Sequence, residues 1–277
     1  MIVPSFQKEN RKSMRPNICW KIEATENFCA EHGISDRYDG NMCFSRSESK
    51  NVTENRRHFF EKTGTDPNRT FMPSIVHGNQ VIEIDKTDLG KGIYTQDAAK
   101  VDGMISFIPN STLAVDVGDC PTILCSDRKN TMIGLVHAGW KSLELGIIEN
   151  LFATIDKRIA PTDISIVLGI GICKNCYRFP LNSDHPLIHN PAWNFYKMHY
   201  PDGYVGIDLY GFILDRLKQA GIPKTNISLS QEICSFHTKN LEGHSTFFSH
   251  RRASINGNEQ AQKEGRFVVF VRLPKSE

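Results

Sequence analysis

Cys120 and His137 stand at the ends of short apolar runs within residues 112–141, TLAVDVGDCPTILCSDRKNTMIGLVHAGWK. The first run, residues 112–117, stops at Gly118-Asp119, a pair suited to a turn, and leaves Cys120 at a strand end. The second, residues 122–125, follows Pro121, is rich in β-branched and apolar side chains, and closes on the polar turn 126–130. The third, residues 131–136, completes a hairpin and delivers His137 into Ala138-Gly139-Trp140-Lys141. Side chains at strand ends can face a cleft instead of the core. A thiol and an imidazole placed there offer lone pairs at neutral pH for metal binding or for nucleophilic chemistry. The plain alternative is a buried small hydrophobe beside a satisfied histidine.

Upstream, residues 73–84 (PSIVHGNQVIEI) are two apolar runs interrupted by His77-Gly78-Asn79-Gln80. Val76-His77-Gly78-Asn79-Gln80-Val81, Gly118-Asp119-Cys120 and His137-Ala138-Gly139-Trp140-Lys141 occur in the same order as V-H-G-x-x-V, an alanine-aspartate-cysteine strand end and H-A-G-W-[RK]. On these motifs the chain resembles the YfiH-like family, described as multicopper polyphenol oxidoreductases or laccase-domain proteins and also as zinc-dependent purine nucleoside phosphorylases. The resemblance runs from about residue 33 to about residue 273. It includes Glu54-Asn55-Arg56-Arg57, Val101-Asp102-Gly103, Cys176-Tyr177 and Phe248-Ser249-His250-Arg251-Arg252. The chain departs from the family pattern at Gly169-Ile170-Gly171-Ile172, where Gly-Pro is usual, and at Arg178, where an acidic residue is usual. Two further departures are His250 in place of tyrosine and Gly40-Asn41-Met42, the remnant of a serine-leucine-asparagine-leucine element.

The resemblance implies a layered α-β-β-α sandwich and a zinc ion held by His77, Cys120 and His137, with copper as the alternative metal. Two neutral imidazoles and a thiolate leave one tetrahedral position of zinc open, as catalysis requires. The implied reactions are phosphorolysis of adenosine, inosine or methylthioadenosine and deamination of adenosine. Phosphorolysis needs donors for phosphate, and Arg57 and Arg251 are the candidates for phosphate or substrate contacts, with Asn41 holding substrate. The expected catalytic group is Cys120, His137 and Asp119, the last orienting a ligand or taking a proton.

Two rivals belong to other classes. A laccase-type electron transferrer could use the same trio for copper. Against it, none of the ten histidines forms an H-x-H pair, which an oxygen-reducing copper cluster needs repeatedly. A metal-free hydrolase could use Cys120 as nucleophile and His137 as base, and some bacterial relatives are linked to peptidoglycan precursor editing. A purely structural metal would want a fourth ligand.

The remaining histidines and cysteines carry weaker signals. Cys173-Lys174-Asn175-Cys176 is a lone C-x-x-C without a second pair at zinc-ribbon spacing, so a structural or incidental role is expected. His185 and His189 have helical ligand spacing, but Pro186 intervenes and no glutamate accompanies them, which favours a surface pair.

The frame that must position these groups is that of an ordinary globular protein. The chain has 277 residues, 39% hydrophobic and 23% charged, with a net charge of +2, too balanced to argue for nucleic acid or a membrane surface. No apolar stretch reaches membrane-spanning length and the eight cysteines lack the density of a disulfide scaffold, which points to reduced thiols and a cytoplasmic location. The expected partners are a small nucleoside and phosphate; the oligomeric state is open. Residues 1–17 lack periodicity and read as a flexible arm, with the catalytic domain at 18–277. Helices are expected around Glu54–Lys62, along Leu143, Ile147, Ile148, Leu151, Phe152, Ile155 and Ile159, and from Ile207 to Leu217 before the stop at Gly221-Ile222-Pro223. Strands are expected at 105–109, 163–172, 227–230 and 267–273, and a strand or loop at 247–252. The alternation supports one α/β domain with mixed sheets.

Overall fold

A computed structural model of the chain describes residues 19–230, 233–255 and 257–275, so the arm expected at 1–17 lies outside the described residues. The apolar runs form strands β1 (Glu31–Ile34), β2 (Thr70–Phe71), β3 (Val81–Glu83), β4 (Gly103–Ser106), β5 (Thr112–Val117), β6 (Thr122–Asp127) and β7 (Ile133–His137). They continue as β8 (Ile164–Leu168), β9 (Arg178–Pro180), β10 (Lys197–His199), β11 (Tyr204–Ile207), β12 (Ile227–Leu229) and β13 (Phe267–Arg272). One sheet has the order β1-β13-β5-β2, with only β2 and β5 parallel. The larger has the order β12-β8-β6-β7-β4-β3, antiparallel at its centre and parallel at both edge pairs. A small antiparallel sheet, β10-β11-β9, lies apart from these two.

The period of two along each strand sorts the side chains into layers. From β5 and β13, Leu113, Val115, Val117, Phe267, Val269 and Val271 face one core. Leu124, Ile133, Leu135 and Val167 of the larger sheet meet them there. The alternate residues Ala114, Val268 and Phe270 face outward onto Phe59 and Phe60 of helix Ser49–Lys62. On the far side, Ile123, Cys125, Val136, Ile166 and Leu168 pack against helices Ile147–Ile155 and Leu209–Gln219. The result is helix, sheet, sheet and helix in four layers: the α-β-β-α sandwich with mixed sheets, in one domain.

Three elements differ from the sequence expectation. The helical pattern after His137 is split into Trp140–Glu144 and Ile147–Ile155, because Gly146 takes a left-handed conformation (φ 82°) that ends one helix and starts the next in a new direction. The helix carrying Arg57 starts at Ser49, one and a half turns earlier than the motif suggests. Residues from His250 to Ile255 are helical, not a strand.

β7 pairs Gly134 with Cys125 of β6. A β-carbon at Gly134 would lie 2.4 Å from Cys125 Sγ and 3.3 Å from Ile105 Cγ2, so the absence of a side chain here makes room for the thiol. Gly134→Ala is expected to cost about 1–3 kcal/mol of stability through overpacking. Adding Cys125→Ala in the same chain should recover most of that loss in urea unfolding; a double variant no more stable than Gly134→Ala would show that the glycine serves another purpose.

Candidate metal centre

His77, Cys120 and His137 arrive from three segments, and one buried carboxylate sets their positions. Asp102, which precedes β4, is fully buried. Its Oδ1 accepts the His77 amide at 2.8 Å and faces His137 Nδ1 at 2.9 Å. Its Oδ2 accepts the amides of Val76 at 3.2 Å and Gly78 at 2.7 Å. Three successive amides converging on one anion form a nest, and that nest bends the backbone so that His77 has φ 59°. This explains why the apolar pattern of residues 73–84 breaks at His-Gly-Asn-Gln: it is a loop between β2 and β3 with its ring turned to the cavity. The Asp102 backbone also accepts the His137 amide at 2.7 Å, so the carboxylate and main chain of one residue register both histidines.

The electrostatics follow. Burial pushes the Asp102 carboxyl up, but the donors from His137, Gly78 and Val76 outweigh it and hold the group below its usual range. An ionised Asp102 accepts a hydrogen bond from His137 Nδ1–H, which directs Nε2 to Cys120. Burial also pushes the Cys120 thiol up, yet the His137 and His77 rings reverse this and bring it down to about 6. His137 is lowered by burial but raised more by Cys120 and Asp102, to about 9. Both shifts favour a thiolate beside an imidazolium when no metal is bound. A divalent cation can take the place of that ring proton.

The donor atoms of His77, Cys120 and His137 lie within 4.8 Å of one another, and the two rings meet edge-on with centroids 4.9 Å apart. A cradle for an ion is left open by Gly139. A β-carbon there would lie 3.2 Å from Cys120 Sγ and from His137 Cε1, and 3.5 Å from His77 Cδ2. Two borderline nitrogens, one soft thiolate and space between them fit zinc or copper. Cys120 is fixed by a close backbone approach: Gly171, after β8, accommodates Asp119 O and Pro121 N at distances of 2.8 Å from where its β-carbon would be. The glycines at the end of that strand thus meet the segment that carries the thiol.

The trio lies in a cavity of about 740 Å³. Arg46, Lys141, Arg251 and Arg266 reach its wall against the carboxylates Asp116 and Asp119, so the cavity is cationic, and Tyr177, Phe179 and Trp140 supply aromatic faces. The Arg251 guanidinium sits 4.6 Å from the centre of the Phe179 ring and donates through Nη2 to Arg178 O. Its Nε is buried and has no partner among the described residues.

Not every residue singled out in the sequence reaches this cavity. Arg57 points to solvent, where Glu54 accepts its Nη2 at 2.7 Å; its neighbour Arg56 is the one that turns inward, to Met42 O, Gly92 O, Ile93 O and Asp116. Helix phase decides this, since adjacent residues on a helix point about 100° apart. Asn41 spends its amide on the main chain, donating to Cys43 O and accepting from the amides of Cys43 and Arg266. Asp119 borders the cavity, but both of its oxygens are taken, by the Ser235 hydroxyl at 2.6 Å and the Arg251 amide at 2.5 Å; burial raises its carboxyl in spite of those donors. His185 is no surface residue: it lines the cavity and stacks on Phe179 with centroids 4.0 Å apart, while His189 faces out and bonds to Ser183 O. Cys173 and Cys176 do not stand alone, because Cys234 and His237 join them. The C-x-x-H spacing of Cys234-Ser235-Phe236-His237 was a readable signal for that meeting. Asp102 had one too, in the Val101-Asp102-Gly103 motif.

A double-sheet sandwich with two imidazoles and a thiol converging in a cationic cavity defines an α/β protein with a donor cluster that could hold a metal. The chain belongs to the multi-copper polyphenol oxidoreductase laccase family, whose model matches residues 28–274. It is 27% identical over 254 residues to adenosine deaminase RL5 from an unknown prokaryotic organism, covering 85% of this chain and 91% of the relative. It is 27% identical over 261 residues to purine nucleoside phosphorylase SSP1584 of Staphylococcus saprophyticus, covering 86% and 90%. The crystal structure of YlmD from Geobacillus stearothermophilus superposes with a TM-score of 0.77 at 26% identity over 94% of this chain and all of that one, 100%. The fold is also that of YfiH from Bacillus licheniformis, at a TM-score of 0.74 and 24% identity over 88% of this chain and 92% of that one.

Two substitutions test the geometry. Asp102→Asn removes the charge that fixes the His137 tautomer, and metal affinity should fall by about 10- to 100-fold in chelator competition. Gly139→Ala fills the cradle and should lower metal content while leaving the melting temperature within a few degrees; unaltered metal binding in both variants would dissociate Asp102 and Gly139 from the centre.

Proposed function

We propose that this protein is a zinc-dependent purine nucleoside phosphorylase acting on adenosine, inosine or methylthioadenosine, with adenosine deamination as a side activity. The observation that carries this reading is the His77–Cys120–His137 set opening into a cavity of about 740 Å³ with a free cationic donor at Arg251. That volume suits a nucleoside together with a phosphate, given that small-molecule sites span about 300–1,000 Å³.

Held by these three side chains, zinc supplies a Lewis-acidic centre for a substrate heteroatom. The rest falls to the chain. Arg251 Nε offers its proton to a phosphate oxygen and the guanidinium neutralises the nucleophile's charge, with Lys141, Arg46 and Arg266 setting the cavity's positive field. A phosphate oxygen bonds to the anomeric carbon as the bond to the purine nitrogen breaks, and the departing base keeps the bonding pair and gains the proton that the hydrogen phosphate gives up. Tyr177 and Trp140 line the cavity and present aromatic rings against which a purine can pack. Asp119 acts by position: its carboxylate fastens the Arg251 amide and the Ser235 hydroxyl, which aims the arginine.

A metal-free reading has one specific observation in its favour. Asp102, His137 and Cys120 also have the order of an acid–base–nucleophile triad, with the thiolate–imidazolium pair already formed. His77 separates the two readings, because the triad does not require it.

Protein supplied with adenosine or inosine should release free base and a ribose phosphate only when phosphate is present, and inosine would report deamination. His77→Ala and Cys120→Ala should both reduce this to background, and a strong chelator should do the same reversibly. Phosphate-dependent cleavage that persists in His77→Ala or under chelation would discard the metal dependence, and no release of base from either nucleoside with phosphate present would discard the phosphorylase reading. Arg251→Ala should lower kcat/KM for phosphate by about 10- to 100-fold, the worth of a charge-assisted hydrogen bond. Arg57→Ala, out in solvent, should leave the kinetics unchanged.

A further inference from the structure

A second cluster of donors lies outside the catalytic cavity. Cys173 and Cys176 flank a tight turn after β8, in which the amides of Cys176 and Tyr177 both donate to Cys173 O at 2.9 Å. Cys234 and His237 flank another, closed by the Thr238 amide on Cys234 O at 3.1 Å. The two turns face each other. His237 Nδ1 lies 3.2 Å from Cys176 Sγ and 3.8 Å from Cys173 Sγ, and the Cys173 amide points at Cys234 Sγ from 3.2 Å. All four donor atoms lie within 4.8 Å of one another.

We propose that Cys173, Cys176, Cys234 and His237 bind a structural zinc ion, distinct from the metal of the His77–Cys120–His137 centre. Ligand atoms around tetrahedral zinc are about 3.5 to 3.8 Å apart, because zinc–sulfur and zinc–nitrogen bonds are near 2.3 and 2.0 Å. The observed spacings bracket that value. Three sulfurs and an imidazole complete the coordination shell with no open position, the composition of structural sites. An amide aimed at a sulfur is what a ligated thiolate accepts. A disulfide accounts for the cluster less well, since it would use two sulfurs and leave the third thiol and the imidazole against it, and all three cysteines are free. Binding involves no redox step: the thiols release their protons and zinc takes the sulfur lone pairs.

The site would staple the cavity wall. Ser235, next to Cys234, donates to Asp119 Oδ1, and its amide donates to Gly171 O at 3.0 Å. Arg252 donates to Ser235 O and Phe236 O, and Tyr177, next to Cys176, lines the cavity. Closing the two turns on one ion therefore fixes the loop after β8 against the segment that holds Asp119.

Elemental analysis of the protein, purified without added metal, should find two equivalents of zinc. Cys176→Ser and His237→Ala should each lose one and keep the other, while Cys120→Ala should lose the other. His237→Cys, which restores four donors, should retain both. Iodoacetamide labelling of the unaltered protein with mass spectrometry gives a readout that does not depend on variants folding. Cys173 and Cys176 should resist until a strong chelator is added, while exposed Cys29 reacts at once. Zinc content unchanged by Cys176→Ser, labelling of Cys173 and Cys176 as fast as Cys29, or a disulfide among the three would overturn the proposal. One equivalent that survives Cys120→Ala and disappears in Cys176→Ser would uphold it while removing the metal from the catalytic centre.

Discussion

A single buried negative charge organises the centre. Asp102 gives up hydration to lie under the sheet edge, and that is tolerable only because three amides and an imidazole meet its two oxygens. The exchange works in both directions. The amides need an anion because their nest excludes regular strand pairing, and His77 holds a left-handed backbone only while the nest is filled. Meanwhile the same carboxylate chooses which nitrogen of His137 carries the proton. Metal-binding capacity is thus a consequence of how one acid is solvated by protein.

The layers supply rigidity around this hub. β6 and β7 are interior strands of the six-stranded sheet, packed on both faces, and Cys120 and His137 stand at the same end of that hairpin. Neighbouring loops close the cavity from other layers, so cations distant in the chain, such as Arg46, Arg251 and Arg266, share one field. Their own hydrogen bonds hold several of these cations against backbone carbonyls, which orients them before an anion arrives.

The two donor clusters differ in a chemically meaningful way. Three donors around a glycine-lined gap leave room for a substrate atom, whereas three thiols and an imidazole facing one another leave none. A chain with both arrangements would separate reactivity from reinforcement, and Ser235 and Asp119 form the bridge between them.

Much is legible in the amino-acid sequence itself. β5, β6, β7 and β13 follow the apolar runs within a residue or two, because alternation between two buried faces leaves a strong local pattern. The residue types of the trio and the layered fold were equally readable, through motifs whose order along the chain is itself information. Tertiary structure alone decided which polar side chains face inward. Arg56 and Arg57 are neighbours with the same chemistry, and only helix phase against the sheet sends one into the interior and the other to water. Asn41 and Asp119 had the right chemistry for substrate, but the Arg266 amide already occupies the first, and the Ser235 hydroxyl and Arg251 amide the second, all from segments remote in sequence. Cys173 and Cys176 gained partners from a segment almost sixty residues on. Periodicity and propensity are local and survive in the one-dimensional chain, whereas hydrogen-bond satisfaction and metal ligation depend on which distant atoms the packed layers bring together.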